Sequence, residues 1–178
     1  MRILFTVIFL VFMFSGFAQT KKNVIIDADT ANEVDDLFAI TRALLEPSWN
    51  ILAINSTQWQ ASQWAVPNTM EASYRLNMVL LGHLNKTGIK VCRGSINRMF
   101  DWGDKAQHSE AAYEIIKQAH KMKGGDKLQV IALGTLTNVA SAVLIDPSIK
   151  PKIVVYWLGS SYNFEQQKAK HIDFNSVM

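Results

Sequence analysis

The sequence predicts an α/β domain built on a mostly parallel sheet flanked by helices. Three observations predict it. Short apolar runs of strand length alternate with longer runs at helical spacing, in the order βαβαβαβαβ. The strand runs are apolar without a break, the pattern of strands buried on both faces. Polar or glycine-bearing turns follow the strands, on the sheet edge where such folds bind ligands.

Residues 1–18 are read as a secretory signal peptide and residues 19–178 as the N-terminal part of one domain. Arg2 precedes an apolar run at 3–14, too short to span a bilayer, and Gly16-Phe17-Ala18 offers small residues for cleavage after Ala18. An uncleaved anchor is the alternative. The reading places the mature chain in a secreted or periplasmic setting, without stable membrane association after cleavage.

The first strand is expected at 24–26 and the first helix at 34–45, which Pro47 ends. A second strand at 51–54 leads into a polar loop, 55–68, whose amide and indole groups suit the lining of a site. A helix at 69–84 carries Met70, Ser73, Tyr74, Asn77, Leu80, Leu81 and Leu84 on one face, and a third strand follows at 89–92. Residues 94–108 are irregular. Ser109 caps the next helix, with Glu110 in its first turn, and Gly124-Gly125 stops it after about Met122. The fourth strand, 128–133, turns through Gly134 to Asn138 into a helix at 139–145. The fifth, 153–158, ends at Gly159-Ser160-Ser161.

The chain has 18 lysines and arginines, one of them Arg2 in the leader, against 15 acidic residues. So small a balance does not imply nucleic acid or an anionic membrane, and neither is expected as a partner. The single cysteine, Cys92, cannot form an intrachain disulfide and lies in an apolar strand, so a buried inert thiol is expected. His83, His108 and His120 show no ligand spacing and are expected at the surface.

The chemistry concentrates at the first strand-to-helix turn. Asp27, Asp29, Glu33, Asp35 and Asp36 fall within ten positions. Like charges so crowded destabilise a fold unless something relieves them. A bound cation does so, and hard oxygen donors favour Ca2+ or Mg2+ over softer metals. Acidic residues at a helix start also complement the helix dipole, which is the simpler use of such residues. Trp59, Trp64 and Trp102 are placed in loops either to stack on a base or to pack the rim.

Asp27-x-Asp29 followed by Asp35-Asp36 resembles the inosine-uridine-preferring nucleoside hydrolase family. Three further segments resemble it in the same order: Ala132-Leu133-Gly134-Thr135-Leu136-Thr137-Asn138-Val139-Ala140, the strand at 153–159, and Asp173-Phe174-Asn175, with Asp where the family has Glu. The resemblance implies a nucleoside-hydrolase-like fold with a Rossmann-like core, incomplete at the C-terminus. It implies Ca2+-dependent hydrolysis of the N-glycosidic bond of a ribonucleoside, or another N-riboside, by a metal-activated water. It assigns Asp29 to the metal and to the general base, Asp36 and the Leu133 carbonyl to the metal, Asp35, Asn175 and Asp173 to the sugar, and Asp27 to a supporting place. His171, close to Asp173, is placed to approach the site. The partner implied is a small molecule, and a homo-oligomer is compatible with it.

Two departures stand out. Five residues separate Asp29 from Asp35, where the better-known motif has three, and Gln60 stands where the family often has Asn. The leaving-group acid and the last metal ligand are expected beyond Met178, so this stretch by itself is expected to turn over nucleosides poorly. Asp27-x-Asp29 also fits the first motif of a haloacid-dehalogenase-like phosphatase, with Asp27 as nucleophile, Mg2+ as cofactor and Thr135 or Thr137 as the later hydroxyl. A secreted relative that binds ribose without cleaving it is the third reading.

Overall fold

The computed structural model describes residues 21–99 and 105–177. The leader reading and the aromatic segment around Trp102 lie outside them. Five parallel strands form one sheet in the order β3-β2-β1-β4-β5: β1 (Lys22–Ala28), β2 (Trp49–Ser56), β3 (Lys90–Arg93), β4 (Leu128–Ala132) and β5 (Ile153–Trp157). Four helices connect them: α1 (Asp35–Leu44), α2 (Thr69–His83), α3 (Glu110–Lys121) and α4 (Thr137–Ile145).

The first three strands step outward from β1 in one direction, and β4 and β5 step outward in the other. The chain therefore reverses between β1 and β4, and a crevice opens beyond their carboxyl ends. The helices follow the reversal. Val24, Ile26 and Ala28 point to one face, where Ile40 and Ala43 of α1 and Leu81 of α2 cover them. Ile25 points to the other, among Ala111, Ala112 and Ile115 of α3 and Val139 and Ala142 of α4. A central strand covered on both faces needs an unbroken apolar run, and 24–26 supplies it. Each fully buried isoleucine contributes roughly 1.5–3 kcal/mol.

The strands run further at their carboxyl ends than the apolar runs do. Asp27 pairs with Asn55 and with Ala132, and Ala28 pairs with Ser56. Polar residues thus continue the ladder into the crevice. Ser109 caps α3 by accepting from Ala112 N–H at 3.2 Å, as its position predicts. Asn68 caps α2, accepting from Glu71 N–H at 3.0 Å. Helix α1 has no side-chain cap at Val34 and carries Asp35 and Asp36 in its first turn instead.

Beyond β5 the chain forms an antiparallel hairpin, β6 (Ser161–Asn163) with β7 (Lys168–His171), and then a 3-10 turn at Phe174–Ser176. The sequence reading did not include this hairpin. Cys92 is buried, and burial pushes its thiol up to about 12, so it stays protonated and inert.

Candidate active site

The acidic turn leaves the carboxyl end of β1 at the point where the chain reverses. Asp29, Asn32, Glu33, Asp35, Leu133, Leu158, Asp173, Phe174 and Asn175 line one cleft of about 190 Å3 there. The topology thus brings together residues from the β1–α1 turn, the β4–α4 turn and the segment after β7.

Asp27 lies behind the cleft, fully buried. Its Oδ1 accepts from Asn138 Nδ2 at 3.0 Å, and its Oδ2 has no partner among the described residues. Burial raises its carboxyl to about 7, and the hydrogen bond from Asn138 opposes the rise. Asn138 binds several elements at once. Its Nδ2 also reaches the Ser56 carbonyl at 3.3 Å, and its Oδ1 accepts from Ser95 N–H at 3.0 Å. Next to it, Thr30 Oγ1 donates to Asn77 Oδ1 at 2.7 Å, and Asn77 Nδ2 donates to Ser56 Oγ at 3.1 Å. The ends of β1 and β2 are thereby fixed to α2 and α4.

Asp29 is buried at the rim. Its Oδ2 accepts from Asn32 Nδ2 at 3.0 Å. Burial raises its carboxyl to about 6; Asn32 opposes that rise, and the charges of Asp35 and Glu33 add to it. Asp36 is buried too, and its Oδ2 has no partner among the described residues. Burial first, then the charges of Asp29 and Asp35, push its carboxyl up to about 8. Asp35 is exposed and faces the cleft.

Gly134 passes so close that a Cβ there would stand 2.5 Å from Asp29 Oδ1 and 2.6 Å from Thr57 Oγ1. Only glycine lets the β4–α4 turn approach the carboxylate this closely. The Leu133 carbonyl accepts from Asn175 Nδ2 at 2.9 Å, and the same amide reaches the Leu158 carbonyl at 2.9 Å. Asp173 spends its oxygens on the loop. Oδ2 accepts from Ser160 N–H at 2.9 Å, and Oδ1 accepts from Ser176 N–H at 3.1 Å and Ser176 Oγ at 2.7 Å.

These residues suit a hard cation. Two buried carboxylates act on one another, one oxygen of Asp36 lacks a partner among the described residues, and Gly134 passes close to Asp29. Among the described residues no three His, Cys, Asp or Glu side chains converge to hold an ion by themselves. The available set is Asp29, Asp36 and the Leu133 carbonyl, short of the six to eight oxygens Ca2+ takes; water and substrate hydroxyls are the natural remainder.

Other candidates fall elsewhere. Trp59 is buried, its indole donating to Ser73 Oγ at 3.2 Å, so it packs the core. Trp64 is half exposed and donates to Asn32. His171 is exposed and does not line the cleft, and Gln60 bonds to the Ile96 carbonyl away from it. Thr135 and Thr137 are buried, and Asp27 cannot meet a phosphate without leaving the interior. The phosphatase reading therefore finds no support here. Asn138 and Gly134 were legible only as letters of a motif; their contacts needed the fold. Asn32 stood in the longer turn without an assigned role.

Comparison with known proteins agrees with this geometry. The solved structures most like the chain include a purine-preferring ribonucleoside hydrolase from Gardnerella vaginalis, at 25% identity and a TM-score of 0.61, over 80% of this chain and 50% of that one. An inosine-guanosine nucleoside hydrolase matches at 23% identity and 0.59, over 89% and 55%. A plant nucleoside hydrolase matches at 24% and 0.56, over 79% and 48%. The chain spans about half the length of these proteins. No curated protein matches its sequence at a significant level. Residues 24–178 match the sequence profile of the inosine-uridine preferring nucleoside hydrolases. That match runs from the central strand through both turns that meet in the cleft, and the chain belongs to this family.

Proposed function

We propose that this chain carries the ion-binding and sugar-binding half of a Ca2+-dependent nucleoside hydrolase, which cleaves the N-glycosidic bond of a ribonucleoside or a closely related N-riboside. The observation that carries the reading is the pair Asp29 and Asp36: buried, mutually repelling, one oxygen unpartnered, at the reversal point of a parallel sheet. Asp29, Asp36 and the Leu133 carbonyl would hold the ion. When bound, a dication lowers the pKa of water at the site toward neutrality.

The protein's own residues do the rest. Asp29 takes a proton from the attacking water, whose oxygen bonds to C1′ of the ribose as the bond to the base nitrogen breaks. The base leaves with the bonding electrons and gains a proton. Positive charge grows on the ribosyl ring, and the surrounding carboxylates stabilise it. Exposed Asp35 accepts from ribose hydroxyls. Asn175, anchored through Nδ2, has its amide oxygen left for the sugar. Asp173 serves the sugar through the loop it holds. Asp27 and Asn138 support the turn from behind. The leader reading puts this chemistry outside the cytoplasm.

The test is Ca2+ titration calorimetry together with ribose release from a panel of nucleosides, with and without chelator. In the full-length protein, Asp29→Ala and Asp36→Ala are expected to lose both Ca2+ binding and turnover. Normal Ca2+ affinity in Asp36→Ala would sink the reading. Ca2+-dependent ribose binding with no base release would favour a binding module instead.

A further inference from the structure

The turn between β1 and α1 holds one residue that reaches Asp29 from the side. Asn32 is half-buried and lines the cleft. Its Nδ2 donates to Asp29 Oδ2 at 3.0 Å. Its Oδ1 accepts from Ser62 Oγ at 2.7 Å and from Trp64 Nε1 at 3.1 Å. The same indole N–H lies 3.1 Å from the Asn32 backbone carbonyl.

The donor inventory makes this arrangement directional. An indole N–H donates and never accepts. It therefore fixes which end of the Asn32 amide is oxygen. A flipped amide would set NH2 against the indole N–H and oxygen against the Asp29 carboxylate, two repulsions in place of two bonds. Trp64 thus decides that Asn32 presents a donor to Asp29.

The loop that supplies Ser62 and Trp64 is itself anchored. Ser62 is buried, and its N–H donates to the Trp59 carbonyl at 3.2 Å. Trp59 N–H donates to Thr69 Oγ1 at 3.0 Å, and its indole donates to Ser73 Oγ, both on α2. The turn is tied from its own side as well, Asn32 N–H donating to the Asp29 carbonyl at 2.7 Å. The chain of contacts runs from α2 through the β2–α2 loop to one oxygen of Asp29. The other oxygen is left facing Gly134.

We propose that Asn32 is the positioning residue for Asp29, and that Ser62 and Trp64 act on Asp29 only through it. This rests on the reading of Asp29 as ion ligand and base; the contacts themselves do not. Outer contacts of this kind typically matter 10–100-fold in metal affinity or activity. The effect of Trp64 runs through a hydrogen bond and not through its ring area.

The experiment measures the Ca2+ affinity of the protein by calorimetry, for Asn32→Ala, Trp64→Phe and the double variant. Asn32→Ala is expected to weaken binding about tenfold and Trp64→Phe about threefold. The double variant is expected to match Asn32→Ala alone, because the indole reaches the Asp29 carboxylate only through the Asn32 amide, while its bond to the Asn32 backbone carbonyl touches the turn and not that carboxylate. Trp64→Phe keeps the ring and the fold, so it carries the test even where Asn32→Ala folds poorly. Wild-type affinity in Trp64→Phe, or losses that multiply in the double variant, would overturn the proposal. Should the unsubstituted protein bind no Ca2+, the hydrolase reading fails separately. The relay is then read from the indole N–H resonance of Trp64, assigned by its loss in Trp64→Phe. That resonance shifts in Asn32→Ala if the relay exists, and an unmoved signal would disprove it.

Discussion

Gly134 shows how much of the site depends on atoms that are missing from a side chain. A methyl group there would overlap Asp29 Oδ1 and Thr57 Oγ1. Gly134→Ala is expected to push Asp29 off the ion position and weaken Ca2+ binding at least tenfold, with overpacking that costs about 1–3 kcal/mol. Calorimetry and thermal melts read the two effects separately. Asn138→Ala is expected to behave differently. It would strand Asp27 Oδ1 and the Ser95 N–H in the interior, at about 2 kcal/mol or more, measured by urea unfolding. The carboxylates were readable in the sequence because five on one turn demand relief. Asn138 was not, because its partners come from β1, β2 and the loop after β3, and no local spacing shows them.

At the scale of the element, the acidic turn makes stability depend on pH in an unusual direction. Asp27, Asp29 and Asp36 are raised to about 7, 6 and 8, above the 3.8 of an unfolded aspartate. Between those limits the folded chain holds protons that the unfolded chain has lost. Their stabilisation is therefore full below about pH 4 and lost as the pH rises through 6 to 8. In chelator, the melting temperature is expected to fall from pH 5 to pH 8. Ca2+ held by Asp29 and Asp36 would displace the protons of those two, so the rise in melting temperature that it produces is expected to grow across that window. Melts at several pH values with Ca2+ and with chelator check both trends. The elements themselves were legible from apolar runs, apart from their ends. Asp27, Asn55 and Ser56 look like turn residues but pair in the ladder, since the crevice they border needs polar groups held on rigid backbone. The hairpin at β6 and β7 was missed because Ser161–Asn163 and Lys168–His171 are exposed and have no apolar face to betray them.

The whole sheet treats its two edges differently. At β3, Lys90 and Arg93 bear charges and pair with Glu110, Glu114 and Glu71. On β5, Val155 and Tyr156 are exposed, and so is Leu158 just after it. Beside α1 lies a groove of about 330 Å3, with Ile26, Ala43, Trp49, Ile131 and Leu133 on its apolar side and Arg42 and Glu46 at its rim. Exposed apolar side chains such as these make the 178-residue chain prone to associate. Tyr156→Lys is expected to lower the aggregated fraction of this 178-residue chain with little change in melting temperature, as read by light scattering. The fold class and the reversal point followed from the alternation of runs. This asymmetry did not, since a strand buried on both faces and one at an edge read alike along the chain.

The central place of β1 also sets a timetable. Asp27 and Asn138, bonded in the finished protein, are 111 positions apart. A ribosome adds about 5–20 residues per second, so on the order of ten seconds separate the two. Through that interval β1 has β2 beside it and an empty flank where β4 will go, and the acidic turn waits without the Leu133 carbonyl or the Gly134 backbone. The candidate ion site opens with the acidic turn and closes only once β4 and the turn after it have emerged.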